Sequence, residues 1–264
     1  MCTASWLLDE SGYQVFFNRD EQIGRPNAQP PTLFMSENGT RYLMPVDPVG
    51  QGSWIATNEY GLTLCLLNFY QGKLPEGELI SRGQLIKNFA GFMCAETIMD
   101  YFSQLNLQQY APFTFVIFDP ELTSKQGHVR TLQWDGDMLI STLPSPPLIS
   151  SSVDAENVKT SRERAFVQFN AQAETTESRL AFHHCHYPEK GHLSPCMHRS
   201  DANTVSFTHV VLNPKQATVY YQDGSPCQQA PYQQSNLLRR ASFQSPSHFL
   251  ATDESVDNSI VNPA

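Results

Sequence analysis

Cys2 carries more chemistry than any other side chain in this sequence, because loss of Met1 would leave a thiol and a free α-amine on one residue. An α-amine titrates at about 7.7–8.0 and a thiol at about 8.5, so the amine can take the thiol proton close to neutral pH. That pair is a nucleophile with its own base, and it needs no histidine. The small penultimate residue also suits removal of Met1 by an aminopeptidase. A second concentration of reactive groups is the run Asn18-Arg19-Asp20-Glu21. A guanidinium beside a thiol favours the thiolate, and a carboxylate can hold either an α-ammonium or the arginine.

These two features meet only if the chain folds back between them. Cys2–Leu8 and Tyr13–Arg19 alternate apolar and polar residues, and Asp9-Glu10-Ser11-Gly12 between them has turn composition. A β-hairpin is expected. With a four-residue loop, Leu8 pairs with Tyr13 and Cys2 lies opposite Arg19. Cys2, Arg19 and Glu21 then share one face, while Asn18 and Asp20 point to the other. A one-residue bulge would exchange Asp20 for Glu21 at the site, so spacing alone leaves the acid open.

Further along, a Pro-rich loop is expected from Arg25 to Pro31, with short strands near Tyr42–Pro45, Ser53–Thr57 and Leu62–Phe69. Gly50-Gln51-Gly52 precedes a strand rather than a helix, so it reads as a turn and not a phosphate loop. Two apolar stripes at helical spacing follow: Leu79, Leu85, Ile86 and Phe89 after a capping Ser81, then Ile98, Tyr101, Phe102 and Leu105. Strands return at Phe113–Phe118, Val129–Trp134 and Met138–Thr142, and a helix is expected over Ser161–Asn170. A late hairpin joins Thr204–Leu212 to Thr218–Tyr221 through Asn213-Pro214. Antiparallel groups with helices between them predict an α+β fold of stacked antiparallel sheets rather than a doubly wound parallel sheet. One domain is expected over residues 2–244, followed from Ser245 to Ala264 by a polar, loosely ordered tail.

Composition narrows the functional classes. The formal charge is −9, and the basic residues are scattered, which argues against a nucleic-acid partner. No stretch reaches the ~20 apolar residues of a membrane span. The N-terminal segment lacks a basic start, and Asp9-Glu10 interrupts its apolar run, so a cytoplasmic protein without a signal peptide is expected. Its six cysteines are then free thiols, and Asn38-Gly39-Thr40 is a turn rather than a glycan site.

Several motifs together carry a resemblance. They are Met1-Cys2, Phe17-Asn18-Arg19-Asp20-Glu21, Arg25-Pro26, Gly52-Ser53-Trp54-Ile55-Ala56, Asn58-Glu59-Tyr60-Gly61-Leu62 and Leu67-Asn68-Phe69. Near the end, Cys196-Met197-His198-Arg199 and Thr204-Val205-Ser206 join them. Up to about Pro226 the chain resembles the NRDE family, also called the transport-and-Golgi-organisation family. That family is similar to the cysteine N-terminal nucleophile hydrolases, including penicillin V acylases and bile-salt hydrolases. The resemblance implies a four-layer αββα sandwich, Ntn-hydrolase-like, with the nucleophile at the start of an inner strand. It also implies cleavage of a non-peptide amide through an acyl-thioester, with no cofactor.

By position, the resemblance makes Cys2 the nucleophile, Arg19 its electrostatic partner and Asp20 the acid that orients the amine. Asp20 is the favoured acid, with Glu21 the alternative. Asn68 falls where those hydrolases keep an oxyanion-hole amide, a role that suits a neutral donor at a strand end. Two matches are loose. Ser151, in Ser150-Ser151-Ser152, stands where the hydrolases carry a further asparagine, and Arg199 is the nearest counterpart of their late arginine.

One cluster lies outside this scheme. His183-His184-Cys185-His186, with His192, Cys196 and His198, offers zinc-type ligands. Its spacings match no paired-ligand pattern, so it reads as an exposed polar loop holding no metal. Three functions follow in order. The first is an amidase or acyltransferase acting through Cys2 on a small acylated substrate. The second is a carrier for a hydrophobic metabolite such as haem or an acyl-CoA, and the third is a zinc-dependent protein.

Overall fold

The first hairpin sets the frame. In the computed structural model, which describes residues 1–240, β1 (Cys2–Leu8) pairs with β2 (Tyr13–Gln22) from Leu8↔Tyr13 to Cys2↔Arg19 without a bulge. The chain continues through β3 (Gln29–Met35), β4 (Arg41–Val46), β5 (Ile55–Asn58) and β6 (Thr63–Asn68) to α1 (Gly83–Phe89) and α2 (Ala95–Phe102). Then come β7 (Phe113–Phe118), β8 (Arg130–Trp134), β9 (Leu139–Thr142), β10 (Leu148–Ser150), α3 (Ala155–Asn170) and α4 (Thr176–His184). The last strands are β11 (Ala202–Leu212), β12 (Gln216–Asp223) and β13 (Gln233–Leu238).

The strands form two antiparallel sheets. One has six strands in the order β10-β1-β2-β11-β12-β13, and the other seven in the order β3 to β9. Ala4, Trp6, Val15 and Phe17 pack between the sheets against Cys65, Leu67, Val116 and Phe118. The outer face of the second sheet carries Leu64, Leu66, Phe113 and Phe115 against Leu85, Ile86, Phe89, Ile98 and Phe102 of α1 and α2. On the other side α3 and α4 cover the first sheet, joined to each other through Ala165, Phe166 and Phe182. The layer order is helix, sheet, sheet, helix, as expected. Both faces of β2 are covered, which is why its sequence is nearly continuously buried rather than alternating.

Several local expectations fail for physical reasons. The Pro-rich segment contributes β3, an edge strand, where missing amide donors are tolerated. Ser81 does not cap α1, which starts after Arg82 with no side-chain cap. The expected helix from Ser161 begins earlier, at Ala155. The histidine run is not an exposed loop: α4, closed by a Thr175–Ser178 capping box, carries His183 and His184 in its last turn, and His183 is fully buried. The expected tail from Ser245 lies outside the described residues. Among the described residues, no helix is long and apolar enough to cross a membrane.

One close backbone approach holds the second sheet to its helices beside the amino end. A Cβ added at Gly52 would lie 2.3 Å from the Gly83 carbonyl carbon, and Ser53 N–H donates to Gly83 O at 3.0 Å. Gly52→Ala must push the β4–β5 loop off the start of α1. A loss of about 1–3 kcal/mol is expected, as for other overpacked sites. Urea denaturation checks it, and an unchanged midpoint would show that this contact is looser than drawn.

Candidate active site at the amino end

The unbulged hairpin decides where each group of the Asn-Arg-Asp-Glu run points. Odd positions of β2 face the partner sheet, so Arg19 joins Val15 and Phe17 on the side of Cys2. Its guanidinium lies 4.4 Å from the Trp54 ring centroid, 3.3 Å from Glu21 Oε2 and 3.8 Å from Asp47 Oδ1. Arg25 closes the network on Asp47 at 2.5 Å and on Glu21 at 3.6 Å. The two arginines pull the Asp47 carboxyl below its ordinary range against the opposing effect of burial.

Even positions face α3 and α4. Asn18 donates from its amide to the carbonyls of His183 and Pro195. The Asp20 carboxylate is fully buried there, 3.2 Å from Arg162 Nη1, and it accepts from Thr204 Oγ1 at 2.6 Å. Arg162 also donates to Thr3 Oγ1. The bulge that would turn Asp20 towards Cys2 is absent from β1–β2; the irregularity in this part of the sheet falls on β11, between Thr204 and Ser206. Asp20, the favoured acid, therefore faces the helix layer, and Glu21 is the acid beside Arg19. What Asp20 offers the amino end is its main chain: its N–H donates to Met1 O at 3.0 Å, and its carbonyl accepts from the Met1 ammonium at 3.3 Å.

Cys2 lines a polar cavity of about 310 Å³ with Arg19, Glu21, Arg25, Asp47, Trp54, Asn68, Tyr70 and Arg82. Burial is the main cause that raises its thiol above the ordinary value; the nearby N-terminal ammonium and, more weakly, Arg19 oppose it. Asn68 ends β6 at the cavity wall and donates from Nδ2 to Tyr70 Oη at 2.8 Å. Met1 itself occupies the site. It is buried against Met197 and Ala202, and its ammonium lies 3.4 Å from Tyr70 Oη.

The two loosely matched residues surround the Met1 side chain. Ser151 Oγ is 3.2 Å from the Met1 sulfur and also donates to Val153 O, so its hydroxyl serves its own loop. Arg199 lies 3.6 Å from the same sulfur and pairs with Asp201 at 2.6 Å. Sequence reasoning missed Tyr70, Arg82 and Arg162. Arg82, the residue immediately before α1, donates to Pro112 O, and among the described residues it has no carboxylate within salt-bridge reach. Only its position after a serine at a helix start hinted at a special role.

The family model described as Transport and Golgi organisation 2 matches residues 1–187. The chain belongs to this family. The Transport and Golgi organisation 2 match covers the hairpin, both walls of the cavity and the Ser150–Ser152 loop. A search of the curated proteins by sequence found no match. Among solved structures, the N-acylethanolamine-hydrolyzing acid amidase ortholog of Caenorhabditis elegans is similar in fold. It has a TM-score of 0.51 and 13% identity over 79% of this chain and 92% of that one. Penicillin V acylase from Agrobacterium tumefaciens aligns with a TM-score of 0.49 and 10% identity, over 84% of this chain and 83% of that one. The C2A mutant of conjugated bile acid hydrolase from Clostridium perfringens gives 0.48 and 13%, over 94% and 100%.

The opposite environments of the two acids separate their effects. Asp20→Ala leaves Arg162 buried without its partner and should cost about 3–5 kcal/mol. Glu21→Gln, at the partly exposed cavity rim, should cost under about 1 kcal/mol. Denaturant unfolding of both variants checks this. A Glu21→Gln loss as large as that of Asp20→Ala would mean that the faces are assigned the wrong way round.

Proposed function

We propose that the mature chain begins at Cys2 and acts as an N-terminal-cysteine amidohydrolase or acyltransferase on a non-peptide amide of a small acylated metabolite. The observation that carries this reading is the position of Met1. Its side chain lines both the Cys2 cavity and a second cleft of about 310 Å³ that shares Tyr70 and Glu21 with it and continues to Met197 and Arg199. Trimming Met1 joins the two clefts around the thiol.

Trimming also sets the amine's direction. Met1 exchanges both backbone groups with Asp20, so the next residue, Cys2, turns its own towards Ser150 on β10. A free Cys2 amine takes the thiol proton, and the thiolate attacks the amide carbonyl carbon. The amide of Asn68 donates to the developing oxyanion, with Tyr70 Oη orienting it. The C–N bond breaks as the ammonium proton passes to the leaving amine. Water or an acceptor amine then releases the acyl group from the thioester, and the proton returns to sulfur.

Among the described residues, Arg82 is the cavity arginine without an acidic partner, so it suits an anionic group on the substrate. The acyl chain has a neighbouring cleft of about 470 Å³, which Asn68 joins to the site; Leu67, Phe69, Pro147, Leu148 and Ile149 line its apolar part, and Thr114, Thr131, Gln133, Glu156, Lys159 and Glu163 line the rest. That apolar lining also favours the second reading, a carrier of a hydrophobic metabolite. Lipid or a haem absorption band that co-purifies and survives Cys2→Ala would establish the carrier instead.

The decisive experiment combines intact mass with labelling by a thiol-reactive acyl probe. A mass lacking Met1 is expected, with label on Cys2 that Cys2→Ser abolishes. Retention of Met1 would sink the mechanism, because an acylated nitrogen cannot serve as the base. Chain made under methionine-aminopeptidase inhibition should alkylate at Cys2 only at higher pH, since burial raises that thiol and no free Cys2 amine is present to take its proton. A probe bearing a terminal carboxylate should label faster than its neutral isostere. Arg82→Met should remove roughly ten- to a hundredfold of that preference, the worth of one charge-assisted hydrogen bond.

A further inference from the structure

The histidine-rich stretch has a destination that its spacing concealed. His186 follows α4, Cys196 and His198 lie on the segment entering β11, and Cys227 sits in a single 3-10 turn after β12. One ligand atom from each of the four lies within 4.8 Å of the other three. His198 Nε2 is 3.5 Å from Cys196 Sγ and 3.4 Å from Cys227 Sγ. The ring of His186 stands 5.1 Å from that of His198, and its Nε2 is buried without a hydrogen-bond partner among the described residues. Neither cysteine is in a disulfide.

We propose that His186, Cys196, His198 and Cys227 bind a structural zinc ion. With bonds of about 2.3 Å to sulfur and about 2.0–2.1 Å to nitrogen, a tetrahedral site has S···N edges of about 3.5–3.6 Å. Of the two S···N distances above, 3.5 Å matches that edge and 3.4 Å falls just short of it. The donor set is two thiols and two imidazoles, which suits zinc, and four protein ligands leave no open position for catalysis. Binding displaces the two thiol protons, so the dication and two thiolates form a neutral unit that tolerates partial burial. The ion also gives the buried His186 nitrogen the partner it lacks.

The site ties together three segments that secondary structure does not join. Its effect would reach the amino end, because Met197 lies between two of the ligands. The Met197 N–H donates to Thr204 Oγ1 at 2.8 Å, and the same hydroxyl donates to Asp20. The Met197 side chain packs on Met1. Zinc would therefore fix the wall behind the Cys2 cavity, and this holds whether or not Cys2 is catalytic.

The test uses the full chain, reduced, stripped with a chelator and titrated with zinc alone. About one zinc per chain is expected, with two fewer thiols open to a thiol reagent and a Tm that falls on chelation and recovers with zinc. Cys227→Ser should abolish tight uptake. His192→Ala removes a nearby histidine that is outside the cluster and should leave uptake intact. Uptake unchanged in Cys227→Ser, uptake lost in His192→Ala, or no stoichiometric zinc in the native chain would each overturn the proposal. Should Cys227→Ser fail to fold, cobalt(II) in the native chain reads the same ligands. Intense thiolate charge-transfer and tetrahedral visible bands are expected, whereas the weak spectrum of an octahedral ion would count against it.

Discussion

A strand covered on both faces sends every side chain into one packed layer or the other. In β2 this divides four consecutive polar residues between two environments. Arg19 and Glu21 go to the space between the sheets, where Trp54 and Asp47 receive the guanidinium. Asn18 and Asp20 go to the helix layer, where main-chain carbonyls and Arg162 receive them. Cys2 falls on the Arg19 side because the hairpin loop holds four residues and no bulge intervenes. A one-residue slip of β1 would move the thiol to the helix layer, away from Arg19. The register of the hairpin and the existence of the cavity are one fact.

The buried Asp20–Arg162 pair follows from the same division. Charges removed from water must be paired and hydrogen-bonded, or their desolvation outweighs their attraction. Here Thr3 and Thr204 supply bonds to Arg162 and Asp20, and His192 O takes another from Arg162. The pair fastens α3 to the centre of the first sheet, directly behind the residue whose main chain holds Met1. Asp20 thus acts on the amino end through its backbone, while its carboxylate works for the fold. From Asp20 the chain of contacts runs on through Thr204 to Met197 and the two ligand-type residues that flank it.

How much of this could be read from the sequence depended on how local each feature was. The hairpin, its register and the shared face of Cys2, Arg19 and Glu21 follow from alternation and a turn within the first 22 residues. The stacked antiparallel sheets followed from the grouping of strands and helices, whereas the helix–sheet–sheet–helix order came from the family resemblance. The face used by Asp20 did not, because it depends on whether a bulge occurs, and the one present is on β11, nearly two hundred residues away. β10 has three residues in a Ser- and Pro-rich stretch, too few for any period to show. His183 looked exposed because its partners, Ser5 and the Phe16 ring, belong to another layer. Cys227 stands so far from the histidines that only the fold places it beside them.

The position of the amino group links this architecture to chemical timing. Backbone groups of successive residues in a strand point to opposite neighbours. While Met1 is present, the ammonium lies on the β2 side, against Asp20 O and Tyr70 Oη, and the Met1 side chain packs on Met197 and Ala202. Removing one residue does more than shorten the chain: the new amine appears on the β10 side, on the same residue as the thiol. On the proposed removal of Met1, the group that could accept the thiol proton would therefore arise in the same cleavage that widens the cavity beside it. A thiol raised by burial and lacking a base is a poor nucleophile, so on that proposal the chain that keeps Met1 would be held inactive by the contacts that align it.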